Sequence, residues 1–168
     1  MTVLADFQIR ALCETGMVTP FDPALVNAAS LDLRLGSDIL IESAEGPGLV
    51  PLSIADYTDD DPYRLVPGQF VHVGTLEAIN LPLNLVAQFV PNPHEGLQHL
   101  HAGFCQPGSR ASSLTLGLKN TRQLHWVGIW PGMRIGQLQF LTMDARPLVS
   151  YAVTGRYNAD QTVTASRG

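Results

Sequence analysis

The chain has 168 residues, of which 45% are apolar and only 15% charged, and its formal net charge is -5. That length suits one domain burying roughly two thirds of its unfolded surface, and so lean a charge content leaves room for an oligomer interface. Ten Lys and Arg scattered through an acidic chain exclude a duplex nucleic acid partner, which needs clustered cations, but not a small anion held by one arginine.

Cys13 and Cys105 lie far apart and form no CxxC pair, so neither a disulfide framework nor a zinc ribbon is indicated. No run approaches the roughly 20 apolar residues of a membrane span, and MTVLADFQIR lacks the apolar core of a leader. The expectation is a soluble cytoplasmic protein with no membrane partner.

In chain order, Asp6 is placed to cap a short helix with Ile9, Leu12 and Cys13 on one face, Leu4 as a hydrophobic staple and Gly16 as the stop. That spacing makes Cys13 a core residue. Leu31, Leu33 and Leu35 then alternate with Asp32 and Arg34, a half-buried strand closed by Gly36. Further strand-like runs are DILIES, QFVHVGT, NLVAQFV, LQHLHAGF, SLTLGL, LHWVGI and RIGQLQFLTM. Gly46-Pro47-Gly48, Pro67-Gly68, Pro107-Gly108 and Pro131-Gly132 punctuate them as turns. Many short strands between such turns mean an all-β barrel or sandwich. The loop with Asp56, Asp59, Asp60 and Asp61 reads as a solvated acidic stretch rather than a cation site. Residues 1–153 form one barrel domain, and the polar stretch 154–168 reads as an arm, mobile alone and ordered by a partner or ligand.

Four segments in order resemble the dCTP deaminase/dUTPase superfamily: Leu4 to Gly36, ending in PFDPALVNAASLDLRLG; Thr75 to Phe89 (TLEAINLPLNLVAQF); His99 to Gly108 (HLHAGFCQPG); and Trp130 to Phe140 (WPGMRIGQLQF). GRYNADQTVTASR is similar to the family's C-terminal arm. The resemblance implies an all-β, distorted jelly-roll barrel with one short N-terminal helix, assembled as a homotrimer with pockets between subunits. It also implies nucleotide binding in deoxypyrimidine metabolism.

Deaminases of this family use a glutamate to shuttle protons, and the dUTPases use an aspartate to activate water with Mg²⁺ on the triphosphate. Either task needs a carboxylate within reach of the water. In this alignment Gly117 stands at the glutamate and Gln106 at the aspartate, and neither is a base at neutral pH. The family's Gly-Arg-Ser-Ser phosphate loop is replaced by VPNPHEGLQ. Each charge-assisted bond so lost is worth about 1.5–3 kcal/mol, so standard dCTP deamination and dUTP hydrolysis are both unexpected.

The newcomers are histidines. His99 and His101 alternate on the predicted strand LQHLHAGF and share a face, where with His94 they can ligate Zn²⁺, or His101 can act as a catalytic proton carrier, or neither. By resemblance, a nucleotide or nucleoside-type ligand contacts Ala102, Gly103, Phe104 and Gln106, and the arm brings Arg156, Tyr157 and Gln161. Two readings stand: a hydrolase of altered specificity, with Mg²⁺ on a nucleotide phosphate or Zn²⁺ at the histidines, and an inactive homologue that binds a nucleotide or a protein partner.

Overall fold

In a computed structural model the protein is described over residues 1–100 and 103–167. The elements run α1 (Asp6–Glu14), β1 (Val18–Thr19), a 3-10 turn (Pro23–Leu25), β2 (Val26–Asn27), β3 (Ser30–Ser43), β4 (Gly46–Ser53), β5 (Tyr63–Leu65) and β6 (Phe70–Ile79). They continue with β7 (Leu85–Pro91), β8 (Leu97–His99), β9 (Phe104–Cys105), β10 (Ser112–Asn120), β11 (Val127–Ile129), β12 (Arg134–Thr142) and α2 (Tyr151–Thr154). All the strand pairs described are antiparallel, in the order β8-β10-β6-β3-β12-β7-β9, with β1, β2 and β4 joined at the side and a separate β5-β11 ribbon. Few residues separate β8 from β9 in sequence, yet they stand at opposite ends of this order, so the sheet curls until its ends approach. The all-β, barrel-like expectation therefore holds, with one continuous core that includes Leu33, Val73, Phe89, Leu116 and Phe140.

Helix α1 differs from the sequence expectation by one position. Ala5, not Asp6, occupies the cap, and its backbone N–H donates to Gln8 Oε1 at 3.0 Å. Leu4 and Ile9 flank the cap and are both buried, as a hydrophobic staple requires.

Strand β3 departs further. Gly36 does not close it: the strand runs on through DILIES, with its register against β6 shifting between Leu35 and Ile39. Gly46-Pro47-Gly48 likewise begins β4 instead of turning the chain. Nor is β3 half-buried, because Asp32 is only 5% exposed and takes hydrogen bonds from Arg134 Nη1 at 3.0 Å and Asn27 Nδ2 at 2.9 Å. Arg34 donates from Nε at 2.7 Å and from its backbone N–H at 2.8 Å to the carboxylate of Glu77, itself buried on β6. Asp32 and Arg34 on the polar face of β3 are therefore paired and largely covered rather than solvated, although Arg134 itself stays half exposed.

The predicted strand LQHLHAGF is not one strand. β8 ends at His99 and pairs with β10, whereas β9 begins at Phe104 and pairs with β7. LHWVGI contracts to Val127–Ile129. Among the described residues no helix is long and apolar enough to cross a membrane.

Candidate functional site

Strand β10 lies against β6 with Gly117 opposite His72 and Thr115 opposite Gly74, and a register shift interrupts the ladder between Ser113 and Thr115. Bulges of this kind re-aim side chains and gather at functional sites. Here the Leu114 N–H turns to Thr75 Oγ1 at 2.9 Å, and a cleft of about 310 Å³ opens beside the irregularity.

One wall of the cleft is β10 with His72 and Gly117 at its far end. A second is the β9 turn, from Gly103 and Phe104 to Gln106 and Ser109. This turn is tight: Gly108 has φ +73, and a Cβ there would strike Ser150 and Leu83. The third wall is the C-terminal stretch, through Tyr151, Tyr157, Asp160, Thr164 and Ser166.

That stretch lies against the start of β10 through hydrogen bonds. Asp160 O accepts from Ser113 N at 2.9 Å, Ala159 N donates to Ser112 Oγ at 2.7 Å, and Asn158 Oδ1 accepts from Arg110 N at 2.8 Å. Gly74 lets Val163 approach the sheet closely, since a Cβ would lie 3.3 Å from the Val163 backbone nitrogen. Arg167 closes the wall: its backbone N–H donates to Tyr157 OH at 2.8 Å, its guanidinium lies 5.3 Å from the Tyr157 ring centroid, and Nη2 pairs with Asp160 at 3.1 Å. The bond from the Arg167 N–H holds the Tyr157 hydroxyl below the usual phenol range, with the cations Arg167 and Arg156 adding to it.

Of the residues singled out in the sequence, Gly103, Phe104, Gln106 and Tyr157 share this cleft with Gly117, while Arg156 and Gln161 are not among its described lining residues. Gln161 lines a smaller pocket beside Gly36 and Ser37. His101 and Ala102 lie outside the described residues. Sequence reading did not anticipate His72, Ser109, Thr164 or Ser166 in the lining. The alternation of β6 against β10 was the signal available for His72.

Cys105 also lines the cleft, but burial pushes its thiol up to about 12, so it stays protonated at neutral pH and is no nucleophile. Cys13 is buried in the core, where burial and then Glu14 push it to about 12.

His94 and His99 are close enough that His94 adds to the burial that lowers His99 to about 4. Both ring nitrogens of His99 are buried, without a hydrogen-bond partner among the described residues. The unfolded imidazole, with an ordinary value near 6.5, binds a proton more readily than the folded one. His99 therefore contributes stability above pH ~6.5 that is lost as pH falls toward ~4, and the expected loss between pH 7 and 4.5 is about 1–2 kcal/mol after allowance for solvent screening. Denaturant midpoints of the wild type and His99→Phe check this: the variant should be flatter across that window, and equal slopes would refute it. No group of three or more His, Cys, Asp or Glu able to hold a metal forms among the described residues, the exposed acidic loop included. The set His94, His99 and His101 has one member outside them.

A family model described as dCTP deaminase-like matches residues 3–143. The chain belongs to the dCTP deaminase-like family. It is 31% identical over 183 residues to a dUMP-forming dCTP deaminase of Corynebacterium efficiens, covering 99% of this chain and 94% of that one. With a dUMP-forming dCTP deaminase of Beutenbergia cavernae it shares 36% identity over 184 residues, covering 98% and 94% of the two chains. The crystal structure of 2'-deoxycytidine 5'-triphosphate deaminase from Agrobacterium tumefaciens superposes with a TM-score of 0.63 at 22% identity. It covers 82% of this chain, which spans only 48% of that longer one, and the likeness establishes the shared fold. Within this dCTP deaminase-like chain, the two positions where the family resemblance puts carboxylates, Gln106 and Gly117, open onto a single cleft.

Proposed function

We propose that the protein acts in deoxypyrimidine nucleotide metabolism, binding a pyrimidine nucleotide or nucleoside-type ligand in the β9–β10 cleft, with hydrolytic chemistry that is not standard dCTP deamination. The relatives' names give the ligand class, and one observation supports the reading: Gln106 and Gly117, the positions where the family resemblance puts carboxylates, line one cleft. A side chain amide can hydrogen-bond a base edge but cannot take a proton from water at neutral pH. The family trimer belongs to the same proposal, with sedimentation as its check.

The test is a panel of pyrimidine deoxynucleosides, monophosphates and triphosphates, with and without Mg²⁺ or Zn²⁺, read by thermal shift and product analysis. Saturable stabilisation with a new product supports the reading. Stabilisation without turnover moves the protein to the inactive-homologue reading, which Gln106 and Gly117 at the family's carboxylate positions favour. No stabilisation by any member of the panel removes the nucleotide-binding proposal altogether.

Restoring the glutamate should not restore the reaction. Gly117→Glu is expected to show no dCTP deamination above background in an ammonia-release assay, because VPNPHEGLQ supplies none of the loop arginines. A clear gain of activity would show that the chain binds dCTP productively without those loop arginines.

A further inference from the structure

Gly117 leaves β10 without a side chain at the point where the family resemblance puts a proton-carrying glutamate, and the strand ladder decides which side chain stands nearest that point. Gly117 pairs with His72 on β6, between Leu116 opposite Val73 and Leu118 opposite Val71. Successive residues of a strand face opposite sides of the sheet. Leu116, Leu118, Val71 and Val73 all belong to the core, so Gly117 and His72 share the other face, and both line the cleft. Directly opposed side chains begin roughly 5 Å apart, which puts the imidazole within reach of whatever a side chain at position 117 would touch. Both residues lie on adjacent strands of one chain, so the relation holds whatever a neighbouring subunit adds to the pocket.

The imidazole is also held in place. β6 runs between β10 and β3, and His72 stands opposite Leu40 of β3. The Phe70 ring meets it in a T-shaped contact with centroids 4.9 Å apart. Groups mounted on packed strands keep their geometry better than groups on loops. The other titratable groups of the described lining are placed or occupied differently. Burial holds the Cys105 thiol at about 12. Asp160 is ion-paired with Arg167 and meets β10 at Ser113, across the irregular register from Gly117. Tyr151 and Tyr157 belong to the C-terminal wall, and the Tyr157 hydroxyl takes the Arg167 N–H. His99 pairs with Leu118 and so faces the core, with its ring centroid 5.9 Å from that of Phe89.

Resting on the cleft's role proposed above, we infer that His72 is the catalytic proton carrier of a hydrolytic deamination whose substrate is an aminopyrimidine deoxynucleoside or its phosphate. An imidazole both accepts and releases a proton near neutral pH. His72 takes one proton from a water as the water oxygen bonds to the ring carbon bearing the amino group, and passes it to the adjacent ring nitrogen. It then takes the proton of the new hydroxyl and gives it to the amino group, whose C–N bond breaks. One water is consumed, one ammonia leaves, a carbonyl stands where the amine was, and nothing is oxidised or reduced.

The experiment measures ammonia release and calorimetric binding by the full chain with deoxycytidine, its monophosphate and its triphosphate. The wild type should release ammonia from at least one of them and form the matching deoxyuridine compound, and the arm that responds shows how many phosphates the site takes. His72→Ala should lower kcat by about a hundredfold or more, the scale of general acid–base catalysis, with KM changed by less than about threefold. Added imidazole should then raise turnover in proportion to its concentration. A merely structural histidine would lose activity together with melting temperature and would not respond to imidazole. Turnover kept in His72→Ala, or a loss that imidazole leaves untouched, would overturn the assignment. Binding without ammonia from any of the three compounds would also overturn it and leave the nucleotide-binding reading standing, whereas absence of all binding would remove both. Should His72→Ala fail to fold, His72→Asn takes its place, because an amide carries no proton at neutral pH: kcat falling at unchanged KM supports the assignment, and turnover kept overturns it.

Discussion

Replacing Glu77 by alanine is expected to destabilise the protein by about 3 kcal/mol, the lower end of the roughly 3–5 kcal/mol seen when one partner of a buried ion pair is removed. The carboxylate is 1% exposed and takes two donors from one residue, Arg34 Nε at 2.7 Å and Arg34 N at 2.8 Å. Alanine leaves that backbone N–H buried without its acceptor and leaves a cation short of its counter-charge. The lower end applies because the Arg34 side chain is 23% exposed and has Asp22 at 3.8 Å as a second, weaker partner. For a chain of this size about 2–4 °C of melting temperature follows each kcal/mol, so the midpoint should fall by roughly 10 °C. Glu77→Gln keeps an acceptor for the backbone N–H and should lose less. The double variant with Arg34→Met should recover part of the loss, since an apolar replacement of both partners avoids the orphaned charge. A loss below about 1 kcal/mol for Glu77→Ala would show that the pair is not a structural tie between β3 and β6.

This pair also marks where the sequence was legible and where it was not. Period two along Val71, Val73, Thr75, Glu77 and Ile79 defines one face of β6, and that face is buried throughout. A glutamate in that series is itself a signal that a cation waits inside the barrel. On β3 the same alternation misleads, because Asp32 and Arg34 occupy the non-leucine face and alternation alone cannot distinguish a solvated face from one covered by paired charges. Local patterns located most of the strands because burial on one face imposes period two. They missed the break between His99 and Phe104, where the chain leaves β10 for β7: pairing with a different neighbour is a long-range choice that composition does not encode.

The candidate site was legible in a different measure. Gln106, Gly117 and Tyr157 are far apart in sequence, and only the likeness to a family connected them; the structure gives them one cleft. Ser109 has no motif to announce it. Its distinction is a hydroxyl without a hydrogen-bond partner among the described residues, under the turn after Gln106, a property of packing rather than of residue order. The C-terminal stretch is polar, which sequence reading takes for mobility. It meets the barrel through main-chain groups that β10 leaves outside its ladder around its irregular start, such as Ser113 N, and these are invisible to composition.

The largest functional effect is expected from removing that stretch. A chain ending at Thr154 should keep a melting temperature within a few degrees of the full protein, because no residue from 155 to 167 is buried and none belongs to the core cluster. It should nevertheless lose essentially all ligand-dependent stabilisation. Truncation deletes the Tyr157, Asp160, Thr164 and Ser166 wall and leaves a groove open on one side, and an open groove desolvates little of a small ligand. If stabilisation at 100 times the Kd is about 2.7 kcal/mol for the full chain, a truncated chain binding a hundredfold more weakly would show only about 0.4 kcal/mol at the same concentration. Melting curves of both chains over one ligand titration separate the possibilities. Undiminished stabilisation in the shortened chain would place the ligand away from the third wall and take Asp160 out of the site. Cooperative unfolding lost along with the tail would make residues 155–167 part of the barrel's own stability, contrary to the division between a barrel and a closing strap.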